Sequence, residues 1–405
     1  MPSRAEANRS VASLPPADSR WMTRGVLGIG LSSLFSDWGH EAGTSVLPVF
    51  LATLGAPPFV LGVIEGVSDG LSSFAKLAGG WLADRPHWRK PVAVAGYVAT
   101  GLSTFAYAFA HSWPMVLLFR ALGWTGRGGR GPAKNSLLAD SVAPHQLGRA
   151  FGFERAMDTL GAVFGPLSAA ALVGFLSIRS TLKWTLVPGL AAALAFFLLV
   201  PAGKRPEHHQ SVSFFASLRQ FPPQFRHYLI GVFVFGLGDF AHTLLILRAV
   251  QILSPHYGPV RAGAMAVALY TFHNVVYAVV SYPVGVLADR IGKRGLLGAG
   301  YLISAAMCVG FIFSPPRILA LGGLFLLGGA YFAIEDTLEN AMTADLLPPE
   351  IRGTGFGVLA TANGVGDFVS SIAVGFLWSS VSPGAGFLYA ALFSLLGAIL
   401  ILRWR

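Results

Sequence analysis

The sequence predicts an all-α membrane protein, with twelve transmembrane helices in two parallel six-helix repeats. Three observations predict it: an apolar composition with little charge, twelve apolar runs of spanning length, and an internal repeat at one fixed offset.

Of the 405 residues, 54% are hydrophobic and 12% charged, and the mean hydropathy is +0.61. A soluble chain carries about a quarter charged residues. So little charge cannot cover a soluble surface, whereas lipid requires no such cover. The net charge of +10 would suggest nucleic acid in a soluble protein. Here the basic residues lie in short segments between apolar runs, as in loops facing anionic lipid. No basic stripe with interleaved aromatics marks a nucleic-acid surface, and none is expected as a partner. Cys308 is the one cysteine, so there is neither a disulfide framework nor a cysteine metal site. The basic N-terminus (Arg4, Arg9, Arg20, Arg24) before an apolar run from Val26 resembles a signal peptide. That run is long, contains Asp37 and Glu41, and is followed by many others, so it reads as the first membrane helix.

A membrane helix needs about 20 mostly apolar residues. Such runs lie near 26–51, 59–83, 91–110, 113–141, 150–176, 181–200, 227–251, 260–287, 295–313, 317–343, 353–378 and 384–402. The chain divides into an N-terminal tail (1–25), a six-helix bundle (26–200), a linker (201–226) and a second bundle (227–402). The linker holds Lys204, Arg205, Glu207, His208, His209, Arg219 and Arg226, with an amphipathic helix expected from Phe214 to Phe221. Twelve spans put both ends on one side, and Arg and Lys decide which. Arg85, Arg89 and Lys90 follow span two, Arg149 span four, Arg290, Lys293 and Arg294 span eight, and Arg352 span ten. The tails add Arg403 and Arg405 to the four N-terminal arginines, against Arg179, Lys183, Arg261 and Arg317 in the opposite loops. The expectation is a multi-pass protein of the inner (plasma) membrane with both termini cytoplasmic.

The repeat gives the architecture. Gly80-Trp-Leu-Ala-Asp84-Arg85 recurs as Gly285-Val-Leu-Ala-Asp289-Arg290, 205 positions later. Ala139-Asp140 recurs as Ala344-Asp345, Phe151-Gly152 as Phe356-Gly357, and Gly161 as Gly366, all at that spacing. Matches in one register, each at the equivalent end of an equivalent span, make two parallel halves that can rock around a midplane site.

Gly285-x-Leu-Ala-Asp289-Arg290-x-Gly292-Lys293-Arg294 resembles the signature loop of the major facilitator superfamily between helices eight and nine. The counterpart from Gly80 to Lys90 is similar but has Pro86-His87-Trp88 where the family has one residue and a Gly. Gly161-x-x-x-Gly165-Pro166 resembles the superfamily's antiporter motif, with Ala169-Ala170 where a Gly pair is usual. Arg120 resembles the buried arginine often found in span four of proton-coupled exporters. The resemblance covers nearly the whole chain and implies a secondary transporter with no enzyme activity and no cofactor. It also implies that Asp84, Arg85, Arg89, Asp289, Arg290 and Arg294 form cytoplasmic gates. Physically, such an aspartate can face a neighbouring helix N-terminus, whose free N–H groups favour negative charge. The bland alternative is that the arginines only anchor the loops. For Gly161 to Pro166 close packing with a kink is the plain reading, and the motif would act in that way too.

Ionisable residues at membrane depth are costly and face the bundle interior. Asp37 and Glu41, Glu65 and Asp69, and Glu154 and Asp158 pair at four-residue spacing, hence on one helix face each. They are the proton-coupling candidates, in that order, because burial raises a carboxyl pKa and a nearby arginine lowers it again. Arg120, Arg127, Arg130, Lys134, Asp239, His242, Glu335 and Glu339 are the candidates for a substrate cavity. The repeat register equates Arg130 with Glu335 and Lys134 with Glu339, which suggests a positive wall opposite a negative one. Structural salt bridges are the alternative for all four.

Gly126-Arg-Gly-Gly-Arg-Gly-Pro lacks the Lys-Ser or Lys-Thr of a nucleotide loop, so a primary pump is not expected. Asp37, His40 and Glu41 are ligand types a metal accepts, but their spacing supports no metal site. The expected function is movement of a small organic or charged solute by alternating access, as a proton-coupled antiporter in efflux. The alternatives are a proton-coupled importer of a metabolite or iron chelate, and a non-transporting sensor on the same fold. Small solute, protons and the lipid bilayer are the expected partners. One chain holds both halves of the cavity, so a monomer is expected.

Overall fold

The computed structural model describes residues 21–56, 59–85, 87–202 and 218–403. Among these the chain is helical, without strands. Its helices are α1 (Arg24–Thr53), α2 (Phe59–Ala83), α3 (Arg89–Ala106), α4 (Trp113–Asp140), α5 (Leu147–Phe175), α6 (Ile178–Trp184) and α7 (Leu186–Leu199). The second half has α8 (Pro223–Gly236), α9 (Thr243–Tyr257), α10 (Pro259–Ile291), α11 (Lys293–Phe313), α12 (Ile318–Leu346), α13 (Arg352–Ser380) and α14 (Pro383–Arg403). The protein is an all-α membrane protein of twelve spans in two six-helix repeats, in which span six is α6 with α7 and span seven is α8 with α9. Among the described residues, eight spans are long and apolar enough on their own to cross a membrane. The fourth, which carries four cations, and the seventh, which is broken at 237–242, are not among them. Residues 1–20 of the tail, and 214–217 of the expected amphipathic helix, lie outside the described residues.

Local chemistry places the turns. Gly292 alone joins α10 to α11 at φ 97°, a conformation open to glycine. The first half has no glycine there, and after α2 ends at Ala83 its next helix begins only at Arg89. Pro132, Pro166 and Pro283 sit inside α4, α5 and α10, tolerated because neighbouring spans pack around them. Large apolar side chains such as Phe74, Phe197, Val279 and Phe376 are exposed on the outside, where lipid would cover them.

The halves meet on the face that carries the Arg- and Lys-rich loops, here called the basic face. The apolar core there crosses the boundary: Ala341, Ala344 and Phe356 pack with Ala83, Leu137 and Phe151. Toward the opposite face, the cluster around Leu47, Phe50, Ile64 and Tyr107 contains residues of the first half only. The bundle is therefore sealed at the basic face.

Candidate functional site

The seal is built twice from one plan. At the start of α13, where backbone N–H groups have no intrahelical partner, Asp84 Oδ1 accepts the Gly353 N–H at 2.6 Å. Its Oδ2 accepts the Thr354 N–H at 2.9 Å and the Thr354 hydroxyl. At the start of α5, Asp289 accepts the N–H groups of Gly148 at 2.9 Å and Arg149 at 3.0 Å. Each of these four partners maps onto its counterpart by the same 205 positions. The helices cross on backbone: a Cβ on Gly80 would stand 2.6 Å from the Gly353 carbonyl oxygen, and one on Gly285 2.0 Å from that of Gly148. Burial pushes the Asp84 carboxyl up to about 6, although the hydrogen bonds from Thr354 and Gly353 and the charge of Arg89 pull it down.

Of the other gate residues, Arg89 also crosses the boundary. It is buried, donates to Asp140 at 2.6 Å and Ala83 O at 2.7 Å within its half, and reaches Pro349 O at 2.8 Å in the other. Arg352 donates to the second oxygen of Asp140 at 3.0 Å. Arg85 stacks on the Trp81 ring, 4.1 Å to its centroid, and Arg290 is exposed. Arg294 donates to Ile401 O at 2.8 Å and to Leu402 O, capping α14 inside its own half.

Inside the first half, opposite charges pair tightly. Asp37 on α1 binds Arg127 on α4 at 2.5 Å. Lys134 on α4 binds Glu154 on α5 at 2.5 Å, and Ser33 donates to the same oxygen at 2.6 Å. Arg130 donates to Ser36 at 2.8 Å and Thr100 at 3.0 Å and lies 4.0 Å over the Tyr97 ring. Arg120 donates to Thr44 at 3.2 Å. The antiporter-like motif seats this network, since a Cβ on Gly161 would meet Leu34 and Asp37, and one on Gly165 would meet Glu41 and Ala42. The small residues thus bring α5 onto α1 at its two carboxylates, with Pro166 continuing the same helix. Glu41 is partly exposed and, among the described residues, has no hydrogen bond or ion pair, though Asp37, Arg127, Arg120 and Asp158 act on it electrostatically. The side chains of Glu65 and Asp69 lie outside the described residues.

In the second half, Asp239 and His242 sit in the break of span seven. The Tyr331 hydroxyl donates to Asp239 at 3.1 Å and lies 3.4 Å from His242 Nε2. Glu339 accepts from Tyr301 at 2.5 Å and from Asn363 at 2.6 Å. Glu335 is buried. Arg130 and Lys134 find partners on α1, α3 and α5, and Glu339 finds its own on α11 and α13. Of the opposed charges of the repeat, Arg130, Lys134 and Glu339 are engaged within their own half.

Among the described residues a charged contact also crosses the middle, between residues that the sequence reading did not pair. Arg155 pairs with Asp158 at 2.9 Å and with Asp336 of α12 at 2.8 Å, and Tyr277 donates to the same Asp336 oxygen at 2.5 Å. Asn135 donates to Asn340 at 2.8 Å, a pair separated by the repeat offset of 205 and so made of equivalent residues. The register alone could have picked out that pair. Nothing in the spacing points to the tyrosines or to Asn363. Among the described residues no three His, Cys, Asp or Glu side chains converge to hold a metal ion.

The family model described as Major Facilitator Superfamily matches residues 29–269 and 228–405. An uncharacterized MFS-type transporter of Methanocaldococcus jannaschii is 27% identical over 390 residues, covering 95% of this chain and 96% of its own length. The quinolone resistance protein NorA of Staphylococcus aureus is 28% identical over 155 residues, 38% of this chain and 39% of that protein. Among solved structures, the E. coli fucose:proton symporter superposes with a TM-score of 0.75 at 17% identity, over 95% of this chain and 99% of that one. That likeness is one of fold.

Proposed function

The chain belongs to the major facilitator superfamily, a family of membrane transporters of small molecules, and from that premise we propose that it exports a small amphipathic solute in exchange for protons. The basic face is cytoplasmic by the excess of Arg and Lys in its loops, so the conformation sealed there opens outward. The observation that carries antiport is Glu41: a carboxylate without an ion pair among the described residues, beside the Asp37–Arg127 pair. Antiport requires that solute and proton exclude one another. Asp37 is held by Arg127, so Glu41 is the group free to take either a proton or the donor head of a solute. The α1–α5 packing through Gly161 and Gly165 fixes that carboxylate in the wall, and the partial likeness to a resistance protein agrees with export.

In this cycle Glu41 takes a proton from outside, and the bundle rocks. Asp84 and Asp289 release the helix N-termini of α13 and α5, and Arg155 leaves Asp336. The proton departs inside and the solute takes its place, with Arg127 and the remaining polar groups of the cavity orienting it. The test is reconstitution in vesicles holding an internal pH dye, with gradients of a panel of amphipathic amines and organic anions. Protons should move opposite to solute. Glu41→Gln should abolish that movement while exchange of labelled for unlabelled solute continues. Protons travelling with the solute, or full coupling in Glu41→Gln, would overturn antiport at this residue.

A further inference from the structure

The two seams of the basic face are bolted unequally. Across α2–α13, three side chains reinforce the backbone bonds to Asp84. The Thr354 hydroxyl donates to Asp84, Arg89 reaches Pro349 O at 2.8 Å, and Arg352 reaches Asp140 at 3.0 Å. The repeat supplies none of the three to α5–α10. Arg89 has Arg294 as its counterpart, which caps α14 within its own half. Arg352 has Leu147, whose side chain cannot donate, and Thr354 has Arg149, whose Nε stays 3.6 Å from Asp289. Asp345, the counterpart of Asp140, is held at 2.5 Å by Lys293 of the same half. Among the described residues, the polar ties of that gate are then the two N–H bonds to Asp289 and the looser Arg149 ion pair. Arg155 joins α5 to α12 only deeper in the bundle.

One residue reaches across this weaker seam from outside both helices. Trp21 precedes α1, and its backbone is tied to that helix: the Thr23 N–H donates to Trp21 O at 2.9 Å, and Thr23 Oγ1 accepts the Val26 N–H at 3.2 Å. Its indole lies 5.9 Å from the ring of Phe153 on α5, edge to face at 71°. It lies 5.4 Å from the ring of Tyr282 on α10, tilted by 30°. Both separations are those at which aromatic rings attract. The Phe153 ring is itself backed by α1, since a Cβ on Gly30 would stand 2.5 Å from it. Tyr282 sits where the two helices touch, its Cα 3.1 Å from a Cβ placed on Gly152. The counterparts of Trp21, Phe153 and Tyr282 are Arg226, Val358 and Leu77, so the repeat encodes no such ring cluster for α2–α13.

We propose that Trp21 is the bolt of the α5–α10 seam. It is a positioning residue, carried on the segment before α1, that holds α10 against α5 in the sealed state and lets go of Tyr282 when the basic face opens. Trp21, Phe153 and α1 belong to the first half and move together, so rocking keeps their contact and breaks the one with Tyr282. Ring contact suits a seam that must part in every cycle. It strands no charge on separation, whereas a buried ion pair pulled apart leaves two uncompensated ions. An aromatic pair favours the state that contains it by about 2–10-fold, which biases the equilibrium without freezing it.

The test reads each seam separately, by water-soluble maleimide labelling of the full chain in lipid vesicles, in a Cys308→Ala background. Ser281→Cys reports on α5–α10 and Ala83→Cys on α2–α13; both positions are 0% exposed when sealed. Trp21→Leu should raise the labelling rate at Ser281→Cys by about 2–10-fold, and raise it less at Ala83→Cys. Trp21→Phe should keep most of the native rate. Tyr282→Leu, which takes the ring from the other half, should give the same rise, and the double variant no more than either alone. Unchanged thermal unfolding midpoints show that the variants fold; if Trp21→Leu does not, Tyr282→Leu reads the same contact. Trp88→Leu removes a tryptophan that is 50% exposed on the same face and controls for loss of an interfacial anchor. The proposal is overturned by an unchanged rate at Ser281→Cys in Trp21→Leu, by equal rises in Trp21→Leu and Trp88→Leu, or by additive effects of Trp21→Leu and Tyr282→Leu. Only opening of the basic face is read, so the outcome is independent of proton exchange at Glu41.

Discussion

Replacing Gly285 by Ala should open the basic face. A Cβ there would lie 2.0 Å from Gly148 O, 2.6 Å from Gly148 C and 3.2 Å from Arg149 N, all backbone atoms that cannot swing aside. Ordinary contact begins at 3.4 Å, so α10 and α5 must part by more than an ångström. That separation also stretches the 2.9 and 3.0 Å bonds from Gly148 and Arg149 to Asp289. Overpacking of this kind costs about 1–3 kcal/mol, which falls on the sealed state and is relieved when the face opens. In a two-state equilibrium that is a shift of about 5–150-fold. The assay is labelling by a water-soluble maleimide of Ala344→Cys in a Cys308→Ala background. Ala344 is 1% exposed in the seam and becomes reachable only on opening. Its labelling rate should rise by that factor in Gly285→Ala. Gly295→Ala, where a Cβ meets nothing within 4 Å, should leave it unchanged. Equal rates in the two variants would refute a seal made of backbone contact.

Two other outcomes follow from named groups. Asp37→Asn leaves the Arg127 guanidinium, 24% exposed, without its 2.5 Å partner, so the loss should fall below the ~3–5 kcal/mol of breaking a fully buried pair. Thermal unfolding should show that loss, and Asp37→Asn with Arg127→Gln should recover most of it; no recovery would mean the pair is not coupled. The Asp84 carboxyl titrates at about 6 when sealed, against 3.8 for the free group. The sealed form therefore binds that proton more tightly than the open form, in which the carboxyl faces water. Its contribution to sealing is complete below about pH 4 and is lost as pH rises through about 6. Spin-label distances across the basic face should show the sealed fraction falling over that window, with the slope removed in Asp84→Asn.

The fold was legible because a repeat is a long-range statement written in local letters. Asp84 and Asp289 were readable as carboxylates facing helix N-termini, since motif, span end and charge agreed. Partner choice was not legible. Spacing put Lys134 and Glu339 at equivalent positions, but Lys134 turned to Glu154 and Glu339 to Tyr301. A long side chain pairs with whatever packing brings near, and packing depends on residues far apart in sequence. Arg155 was visible as a charge at depth; only the meeting of α5 with α12 assigned it to Asp336. The break in span seven was equally hidden, because Gly236, Gly238 and Asp239 read as a polar interruption inside one apolar run.

That break bears on how the protein is made. At about 1.5 Å per residue, α8 with 14 residues and α9 with 15 are each only about 21–23 Å long. Neither alone reaches across a hydrocarbon layer of about 30 Å, and in the isolated segment Asp239, which lies between them, would face lipid without Tyr331. During synthesis this segment gains little by partitioning into lipid on its own. It must be accepted by helices made after it: α12, which supplies Tyr331; α13, where Gly366 packs on Gly236; and α14, where Ala390 packs on Gly238. Biogenesis of the second half thus waits on its last three spans, and a nascent chain cut short before α12 should leave span seven outside the bilayer core.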